Sequence, residues 1–239
     1  MRLTAFILRA DGVVLFYFFT MFKAALFDLD GVVFDTESQY TVFWDSVFSR
    51  YYPDRSGLAR KIKGQTLDQI LTRYFASDNE ARDFIVHELD KFESSMSYEY
   101  IAGFQKFIRE VRGLGIRTAV VTSSNKKKMA QVYSAHPEFE LYFDKILTSE
   151  NFKKSKPDPD CYLRGAEALG VSAVDCVGFE DSFNGLRALK ASGAYVVGLA
   201  TTNPAGMIRG YAGTVIPNYV GLDETFLKKI YHDHRKKKA

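Results

Sequence analysis

The apolar residues of this chain follow two periodicities, and the change between them falls near residue 98. Between residues 36 and 98, apolar side chains recur every three or four positions, which is the spacing of amphipathic helices. No convincing strand pattern interrupts this stretch, so we predict a small all-helical unit. Its apolar stripes are Tyr40, Phe43, Trp44, Val47, Phe48 and Tyr51, then Leu67, Ile70, Leu71, Tyr74 and Phe75, then Phe84, Ile85, Leu89 and Phe92.

Beyond residue 98 the pattern predicts alternating helices and strands. An apolar run from Phe22 to Phe27, broken only by Lys23, predicts one more buried strand ahead of the helical unit. Such alternation favours right-handed crossovers and a mostly parallel sheet, so the predicted fold class is α/β with an inserted helical cap. Helices are predicted at 104–114, from 125, at 160–169 and at 183–192, and strands at 116–122, 145–148, 175–179 and 194–199.

Two capping-box signatures mark helix starts inside the cap. Thr36-x-x-Gln39 and Thr66-x-x-Gln69 each pair a threonine with a glutamine at the third position after it. We predict three units. Residues 1–20 form a disordered leader, residues 21–35 and 99–239 together form the α/β core, and residues 36–98 form the helical cap.

The leader carries an apolar run at residues 13–19. This run is too short to span a bilayer, which takes about 20 apolar residues, and Arg9 and Asp11 interrupt anything longer. A secretory signal would need a longer apolar stretch and a small-residue cleavage site. We interpret Met21 as the native start and the leader as an upstream extension. A short membrane-touching segment is the less favoured alternative, and no membrane association is expected.

Charge and cysteine content narrow the function classes. The net charge is +3, but the basic tail at residues 235–238 carries four positive charges, so the remainder sums to −1. We interpret the tail as a solvated, frayed end on which His232 and His234 have no specific role, and we expect no nucleic-acid partner. Cys161 and Cys176 give no disulfide framework. They are predicted to be packing residues in a reduced, cytoplasmic protein, which we expect to be a monomer.

Candidate chemistry begins where the first predicted strand ends, at Asp28-Leu29-Asp30-Gly31. In an open α/β sheet, ligands bind beside the carboxyl ends of the strands. Two carboxylates this close repel each other unless a metal or a shared proton relieves them. A site that uses both would hold one ionised against a cation while the other carries a proton. The alternative is an ordinary strand-end turn, because Asp and Gly are common turn formers.

Three further polar clusters follow other predicted strands, and each has a structural alternative. Residues 122–125 offer hydroxyls and a helix N-terminus to an anionic oxygen, or only an N-cap. Lys156 lies in a proline-stiffened loop, where a lone lysine is usually just solvated. Glu180 and Asp181 would bind a metal or complement a helix dipole. In order, the four clusters supply the nucleophile, proton donor, oxyanion donors, charge neutraliser and Mg²⁺ ligands that phosphoryl transfer requires.

This ordered set resembles the haloacid dehalogenase superfamily, specifically its phosphatase and β-phosphoglucomutase-like branch with a helical cap inserted after the first motif. The resemblance covers residues 22 to about 218 and implies a Rossmann-like core. It implies that Asp28 is the nucleophile that forms an aspartyl-phosphate, and that Asp30 is the general acid and base. An acid at Asp30 also separates the chain from the transport ATPases, phosphonoacetaldehyde hydrolases and dehalogenases of the superfamily.

The same resemblance implies the phosphate and metal contacts. Thr122 and Lys156 would hold the transferring phosphoryl group, together with the backbone N–H groups of Leu29 and Ser123. The implied cofactor is Mg²⁺. Its implied ligands are Asp28, the carbonyl of Asp30, Asp181, and Glu180 either directly or through water.

The cap bears on the choice between phosphatase and mutase. By the resemblance, β-phosphoglucomutases carry a His where this chain has Tyr40 and an Arg where it has Leu67, so the phosphatase is favoured. The cap loop Lys63-Gly64-Gln65 is predicted to contact the substrate, with a helix-connecting turn as the alternative. Glu37 is a further candidate for substrate contact, with a helix-dipole role as its alternative.

The predicted function is a Mg²⁺-dependent phosphatase acting on a small phosphorylated metabolite, for which a sugar phosphate is the preferred class. The alternative is a β-phosphoglucomutase-like sugar phosphomutase. A third, less favoured reading is a binding protein that has kept the fold without turnover. Specificity in this architecture depends on how the cap closes, so the sequence leaves the individual substrate open.

Overall fold

Two sheets lie in the part of the chain that the structure describes. The computed structural model describes residues 5–10, 13–18 and 21–236, with side chains from residue 21 onward. In the leader, β1 (Ala5–Ala10) and β2 (Val13–Phe18) pair as an antiparallel hairpin, which the sequence analysis did not predict. The origin of the leader stays a prediction, and part of it lies outside the described residues.

A six-stranded, all-parallel sheet forms the core and confirms the predicted α/β class. Its order is β5-β4-β3-β6-β7-β8. Strands β4 and β5 therefore lie on one side of β3, and β6, β7 and β8 lie on the other. The sheet strands are β3 (Ala24–Phe27), β4 (Arg117–Val121), β5 (Lys145–Leu147), β6 (Cys176–Glu180), β7 (Tyr195–Leu199) and β8 (Thr214–Ile216).

Ten α-helices lie in the described residues, and the first four form the cap between β3 and α5 (Phe104–Gly113). Those four are α1 (Glu37–Tyr51), α2 (Leu58–Lys61), α3 (Leu67–Tyr74) and α4 (Asn79–Ser95). The predicted helices beyond residue 98 are found within a few residues of their expected bounds, whereas α2, α9, α10 and β8 were not predicted. The later helices are α5 (Phe104–Gly113), α6 (Lys126–Ala135), α7 (Asp160–Ala168), α8 (Phe183–Ala191), α9 (Ala205–Ile208) and α10 (Glu224–Lys236).

Both faces of the sheet are covered, and each carries its own apolar cluster. Because side chains alternate along a strand, Ala25 and Phe27 of β3 enter one cluster while Ala24 and Leu26 enter the other. The ring of Phe27 stacks on that of Phe179 with centroids 4.6 Å apart. Cys161 and Cys176 are free thiols buried in the second cluster, which confirms their packing role.

The four cap helices bury a third apolar cluster among themselves. Phe43 and Trp44 of α1 meet Ile70 of α3 and Ile85 of α4 there, as expected for a cap with its own small core. Helix α3 begins with the predicted capping box. The Gln69 N–H donates to Thr66 Oγ1 at 3.3 Å, and the Thr66 N–H donates to Gln69 Oε1 at 3.1 Å.

The other predicted capping box is wrong. Thr36 makes no side-chain cap bond to α1, and its backbone is helical rather than extended. Its hydroxyl donates to Asp30 Oδ1 at 2.5 Å. The Gln39 amide donates to the Ser97 carbonyl at 2.9 Å. This bond ties the start of the cap to its end, close to where the Asp35 N–H donates to the Glu99 carbonyl at 2.8 Å. The two connections between cap and core therefore run side by side.

The C-terminal segment is more ordered than the sequence suggested. His234, expected on a frayed tail, is buried in α10, and its ring lies 5.8 Å from that of Phe22. Its Nε2 lies 3.0 Å from the Val174 carbonyl oxygen. Residues 237 and 238 of the basic tail lie outside the described residues. Within the described part of the chain, no helix combines the length and apolarity needed to cross a membrane.

Candidate active site

The candidate site lies at the carboxyl ends of three neighbouring strands. Phe27 of β3 is in register with Val120 of β4 on one side and with Phe179 of β6 on the other. The residues that follow these strands therefore meet at one edge, where the order of the sheet reverses and ligands bind in open α/β folds. They are Asp28 and Asp30 after β3, Thr122 after β4, and Asp181 after β6, with Glu180 as the last residue of β6.

Asp28 is buried and is held by Lys156. The Lys156 ammonium lies 2.7 Å from Asp28 Oδ1, and the lysine side chain is fully buried. Burial raises the pKa of Asp28 to about 7, with the charge of Lys156 opposing this shift and that of Glu180 adding to it. Burial also disfavours a charged amine, but the two carboxylates outweigh it and raise the pKa of Lys156 above its ordinary value. The lysine thus stays charged beside Asp28.

Glu180 uses its carboxylate mainly to fix its neighbours. Its Oε1 lies 2.7 Å from the Lys156 ammonium and accepts the Tyr162 hydroxyl at 3.1 Å. Its Oε2 accepts the backbone N–H groups of Asp181 and Ser182, both at 2.8 Å. Glu180 therefore orients Lys156 and stabilises the turn that leads into α8. Its proposed contact with a metal stays a prediction.

The residues around Asp181 fit a divalent cation. Asp28, Glu180 and Asp181 each place a carboxylate oxygen within 4.8 Å of the others, and Lys156 supplies a single positive charge among them. Asp181 Oδ1 is buried without a hydrogen-bond partner. Burial and the charges of Glu180 and Glu37 raise the pKa of Asp181 well above its ordinary value. Clustered carboxylate oxygens with excess negative charge are the donor set that Mg²⁺ prefers.

Three donors hold the Asp30 carboxylate. Its Oδ1 accepts a hydrogen bond from the Thr36 hydroxyl and forms an ion pair with the Lys128 ammonium. Its Oδ2 accepts a hydrogen bond from the Ser124 hydroxyl at 3.0 Å. Burial alone would raise the pKa of Asp30, but Lys128 and the two hydroxyls outweigh it and lower the pKa. Of the two aspartates, Asp30 is thus the more readily ionised in this arrangement. This is opposite to the state in which it would donate a proton.

The cap loop at residues 63–65 reaches the core motifs. The Ser123 hydroxyl donates to the Gly64 carbonyl at 3.1 Å, and the Asn184 amide donates to the Lys63 carbonyl at 2.8 Å. A Cβ on Gly64, whose φ is +76°, would lie 2.7 Å from a core serine hydroxyl, so only glycine allows so close an approach. The Lys63 ammonium lies 2.6 Å from the Glu37 carboxylate. The loop therefore lies over the edge of the sheet where the core motifs meet, and its contact with substrate stays a prediction.

A cavity of about 560 Å³ lies between the cap and the core edge. The candidate residues that line it include both aspartates of the first motif, Thr122 and Ser123 from the core, and Glu37, Lys63, Gly64 and Gln65 from the cap. Trp44, Ile70 and Leu71 give its cap side an apolar wall. These candidates thus share one cavity, whereas Lys156, Glu180 and Asp181 lie outside its lining.

Several residues of the site were not predicted from the sequence. Thr36 was assigned to a helix cap, and Lys128 was one of three consecutive lysines, a pattern typical of a solvated helix face. Tyr162 and Thr202 contact Glu180 and Asp181 through their hydroxyls, and nothing in their surrounding sequence indicates this. Ser124 was inside a quoted cluster, but its bond to Asp30 depends on how α6 begins.

Comparisons with known proteins agree with this geometry. The family model of haloacid dehalogenase-like hydrolases matches residues 22–193. A phosphorylated carbohydrates phosphatase from Thermotoga maritima is 30% identical over 177 residues, covering 72% of this chain and 82% of that protein. The validoxylamine A 7'-phosphate phosphatase of Streptomyces hygroscopicus subsp. limoneus is 26% identical over 197 residues, covering 77% and 89% respectively.

A solved structure shares the fold at lower identity. The β-phosphoglucomutase of Clostridium difficile superposes with a TM-score of 0.75 at 20% identity, covering 90% of this chain and 100% of that one. The family model spans well over half of the chain, including the first motif, Thr122, Lys156 and the Glu180–Asp181 pair. The chain therefore belongs to the haloacid dehalogenase-like hydrolase family, as an enzyme of its phosphatase and β-phosphoglucomutase-like branch.

Proposed function

We propose that this protein is a Mg²⁺-dependent phosphatase that hydrolyses a small phosphorylated metabolite, a sugar phosphate, through an aspartyl-phosphate intermediate. The observation that supports it best is the buried group of Asp28, Glu180 and Asp181 around the single cation of Lys156. Asp28 of this group lines the cavity between cap and core, where a phosphoryl group would meet a nucleophile, a fixed positive charge and a metal site together.

In the first step, Asp28 attacks the phosphorus atom of the substrate. Its Oδ1 is engaged by Lys156, which leaves Oδ2 as the attacking atom. A bond forms between Oδ2 and phosphorus while the bond from phosphorus to the leaving oxygen breaks, and that oxygen takes a proton from the Asp30 carboxyl. Three donors hold Asp30 as an anion here, so its acid form would carry the proton on Oδ2 and require the Ser124 hydroxyl to turn, while Lys128 keeps Oδ1.

In the second step, water attacks the phosphorus of the aspartyl-phosphate and Asp30 accepts its proton. Phosphate leaves and the Asp28 carboxylate is restored, so the enzyme returns to its starting state. Lys156 stabilises the charge of the transferring group throughout, with the Thr122 hydroxyl beside it. When bound by Asp28, Asp181 and the Asp30 carbonyl, Mg²⁺ would neutralise charge on the phosphoryl oxygens.

The cavity supports a small polar substrate. Its volume of about 560 Å³ lies in the range of metabolite sites. Lys63, Gln65 and Glu37 offer polar contacts on its cap side. The Thermotoga relative is named for phosphorylated carbohydrates, which supports a sugar phosphate. The proposal includes a cytoplasmic monomer, in line with the two free, buried thiols.

A β-phosphoglucomutase-like reaction is the alternative within the family. Tyr40 and Leu67 stand where the resemblance implies the mutase His and Arg. The Tyr40 hydroxyl donates to Glu93 Oε1 at 2.7 Å, so it serves a contact within the cap. The phosphatase is therefore favoured over the mutase.

The test is a panel of phosphomonoesters with Mg²⁺, read as kcat/KM for wild type and for Asp28→Asn. We expect hydrolysis that prefers sugar phosphates and that is abolished in the variant. Equal activity in both proteins would remove Asp28 as the nucleophile. Interconversion of sugar phosphates that outpaces phosphate release, with a requirement for a bisphosphate activator, would identify the mutase instead.

A further inference from the structure

Lys128 is a buried cation that the reaction described above does not use. It lies in the first turn of α6, where its side chain is 1% exposed and its ammonium pairs with Asp30 Oδ1. Its neighbour Lys127 is 63% exposed and pairs with Asp90 on the cap. Lysine is almost never fully buried without a specific partner, so the contact with Asp30 sets Lys128 apart from the rest of the lysine run.

The contacts of Asp30 make the orientation of its carboxylate depend on Lys128. Thr36 and Lys128 share Oδ1, while Ser124 holds Oδ2. The two hydroxyls can turn to donate elsewhere. The ammonium is the only charged donor among these three, and hydrogen bonds to charged donors are roughly twice as strong as neutral ones. Loss of Lys128 would leave Asp30, whose side chain is 14% exposed, with two weaker, uncharged contacts.

The cap contacts the same ammonium from the other side. The Lys128 ammonium lies 4.5 Å from the centre of the Tyr40 ring, within the range of cation–π attraction. The Tyr40 hydroxyl donates to Glu93 Oε1, and Glu93 is itself buried. Lys128 and Asp30 belong to the core, whereas Tyr40 and Glu93 belong to α1 and α4. The ammonium therefore lies at the junction of the cap and the proposed acid–base residue.

We propose that Lys128 is a positioning residue for this reaction: it orients the Asp30 carboxyl and, through Tyr40 and Glu93, ties that orientation to the seated cap. The inference rests on the proposed phosphatase function. Proton transfer requires the carboxyl within hydrogen-bond reach of the leaving oxygen. Because Lys128 contacts both Asp30 and the cap, it would hold the Asp30 carboxyl in this position only once the cap has closed over the substrate.

A comparison of leaving groups separates this role from a purely structural one. An alkyl phosphate such as a sugar phosphate needs a proton on its leaving oxygen, whereas p-nitrophenyl phosphate releases a stable phenolate without one. The quantity to compare is kcat/KM, because it covers phosphoryl transfer to Asp28 and excludes the later attack of water. For Lys128→Met we expect a loss of roughly 10–100-fold on the alkyl phosphate. On the aryl phosphate we expect less than about 3-fold.

Three controls accompany this comparison. Lys127→Met, on the same helix, is expected to match wild type with both substrates. Lys128→Arg keeps the charge and is expected to fall between wild type and Lys128→Met, and it replaces the methionine variant if that protein does not fold. Binding of beryllium fluoride with Mg²⁺ reports on the Asp28 site and is expected to be unchanged in both Lys128 variants.

Equal losses on the two phosphates, or no loss on either, would overturn the role of Lys128 while leaving the phosphatase function in place. A wild-type protein that hydrolyses neither phosphate would instead overturn the proposed function, and the role of Lys128 with it. The two failures are thereby distinguishable.

Discussion

Replacing Lys156 by methionine is expected to destabilise the fold strongly as well as to abolish turnover. The Lys156 ammonium lies 2.7 Å from both Asp28 Oδ1 and Glu180 Oε1, and the lysine is fully buried. Removing one partner of a buried ion pair costs about 3–5 kcal/mol. Because this one cation serves two buried carboxylates, we expect the upper half of that range. For a chain of this size, we expect the midpoint of thermal unfolding to fall by roughly 8–20 °C.

The assay is urea unfolding of the metal-free protein at pH 8, with Lys154→Met as the control. Lys154 lies in the same loop, is 71% exposed and pairs with Asp158 at 3.4 Å, so its replacement should change stability by less than about 0.5 kcal/mol. Adding Asp28→Asn to Lys156→Met removes one uncompensated charge and should recover about 1–3 kcal/mol. A loss below about 1 kcal/mol for Lys156→Met would refute the reasoning.

Three further expectations concern the site and the cap. The pKa of Asp28 is raised from 3.8 to about 7, so its contribution to stability is full below pH 3.8 and is lost as pH rises towards 7. Metal-free wild type should therefore lose stability relative to Asp28→Asn across this range, and a constant difference in urea titrations would contradict this. A Cβ on Gly185 would overlap the Glu180 carboxylate. Gly185→Ala should thus cost about 1–3 kcal/mol and lower kcat, while Gly206→Ala, with open space around it, should do neither; equal effects would exclude this packing argument. Lys63→Met should raise KM with little change in kcat if the cap loop binds substrate, and an unchanged KM would remove Lys63 from the substrate site.

Much of the core site could be predicted from the sequence because its chemistry follows strand ends. Parallel strands bring residues distant in the chain to one edge, so Asp28, Thr122 and Asp181 meet whatever the details of the intervening helices. Lys156 illustrates a limit of this reasoning. A lysine in a loop is usually solvated, and its burial between two carboxylates follows from tertiary packing that local sequence does not encode.

Predictions from local sequence patterns were wrong where a side chain contacts a residue outside its own helix. The Thr66 capping box formed as predicted, whereas Thr36, in the same sequence pattern, donates to Asp30 instead. The two threonines differ in backbone conformation, since Thr66 is extended whereas Thr36 lies in the helical region, and an N-cap residue is normally extended. Lys128 was missed for a related reason, since the lysine run gives no sign of which member turns inward. The polar side chains that contact Asp30 are therefore the part of the site that could not be predicted from the sequence.

The measurement that tests the central claim most directly is rapid-quench mass spectrometry of the enzyme during turnover of a sugar phosphate with Mg²⁺. We expect one phosphoryl group on the peptide that contains Asp28, formed and consumed at rates consistent with kcat, and none in Asp28→Asn. A phosphoryl group on another residue, or phosphate release by Asp28→Asn at the wild-type rate, would contradict the account.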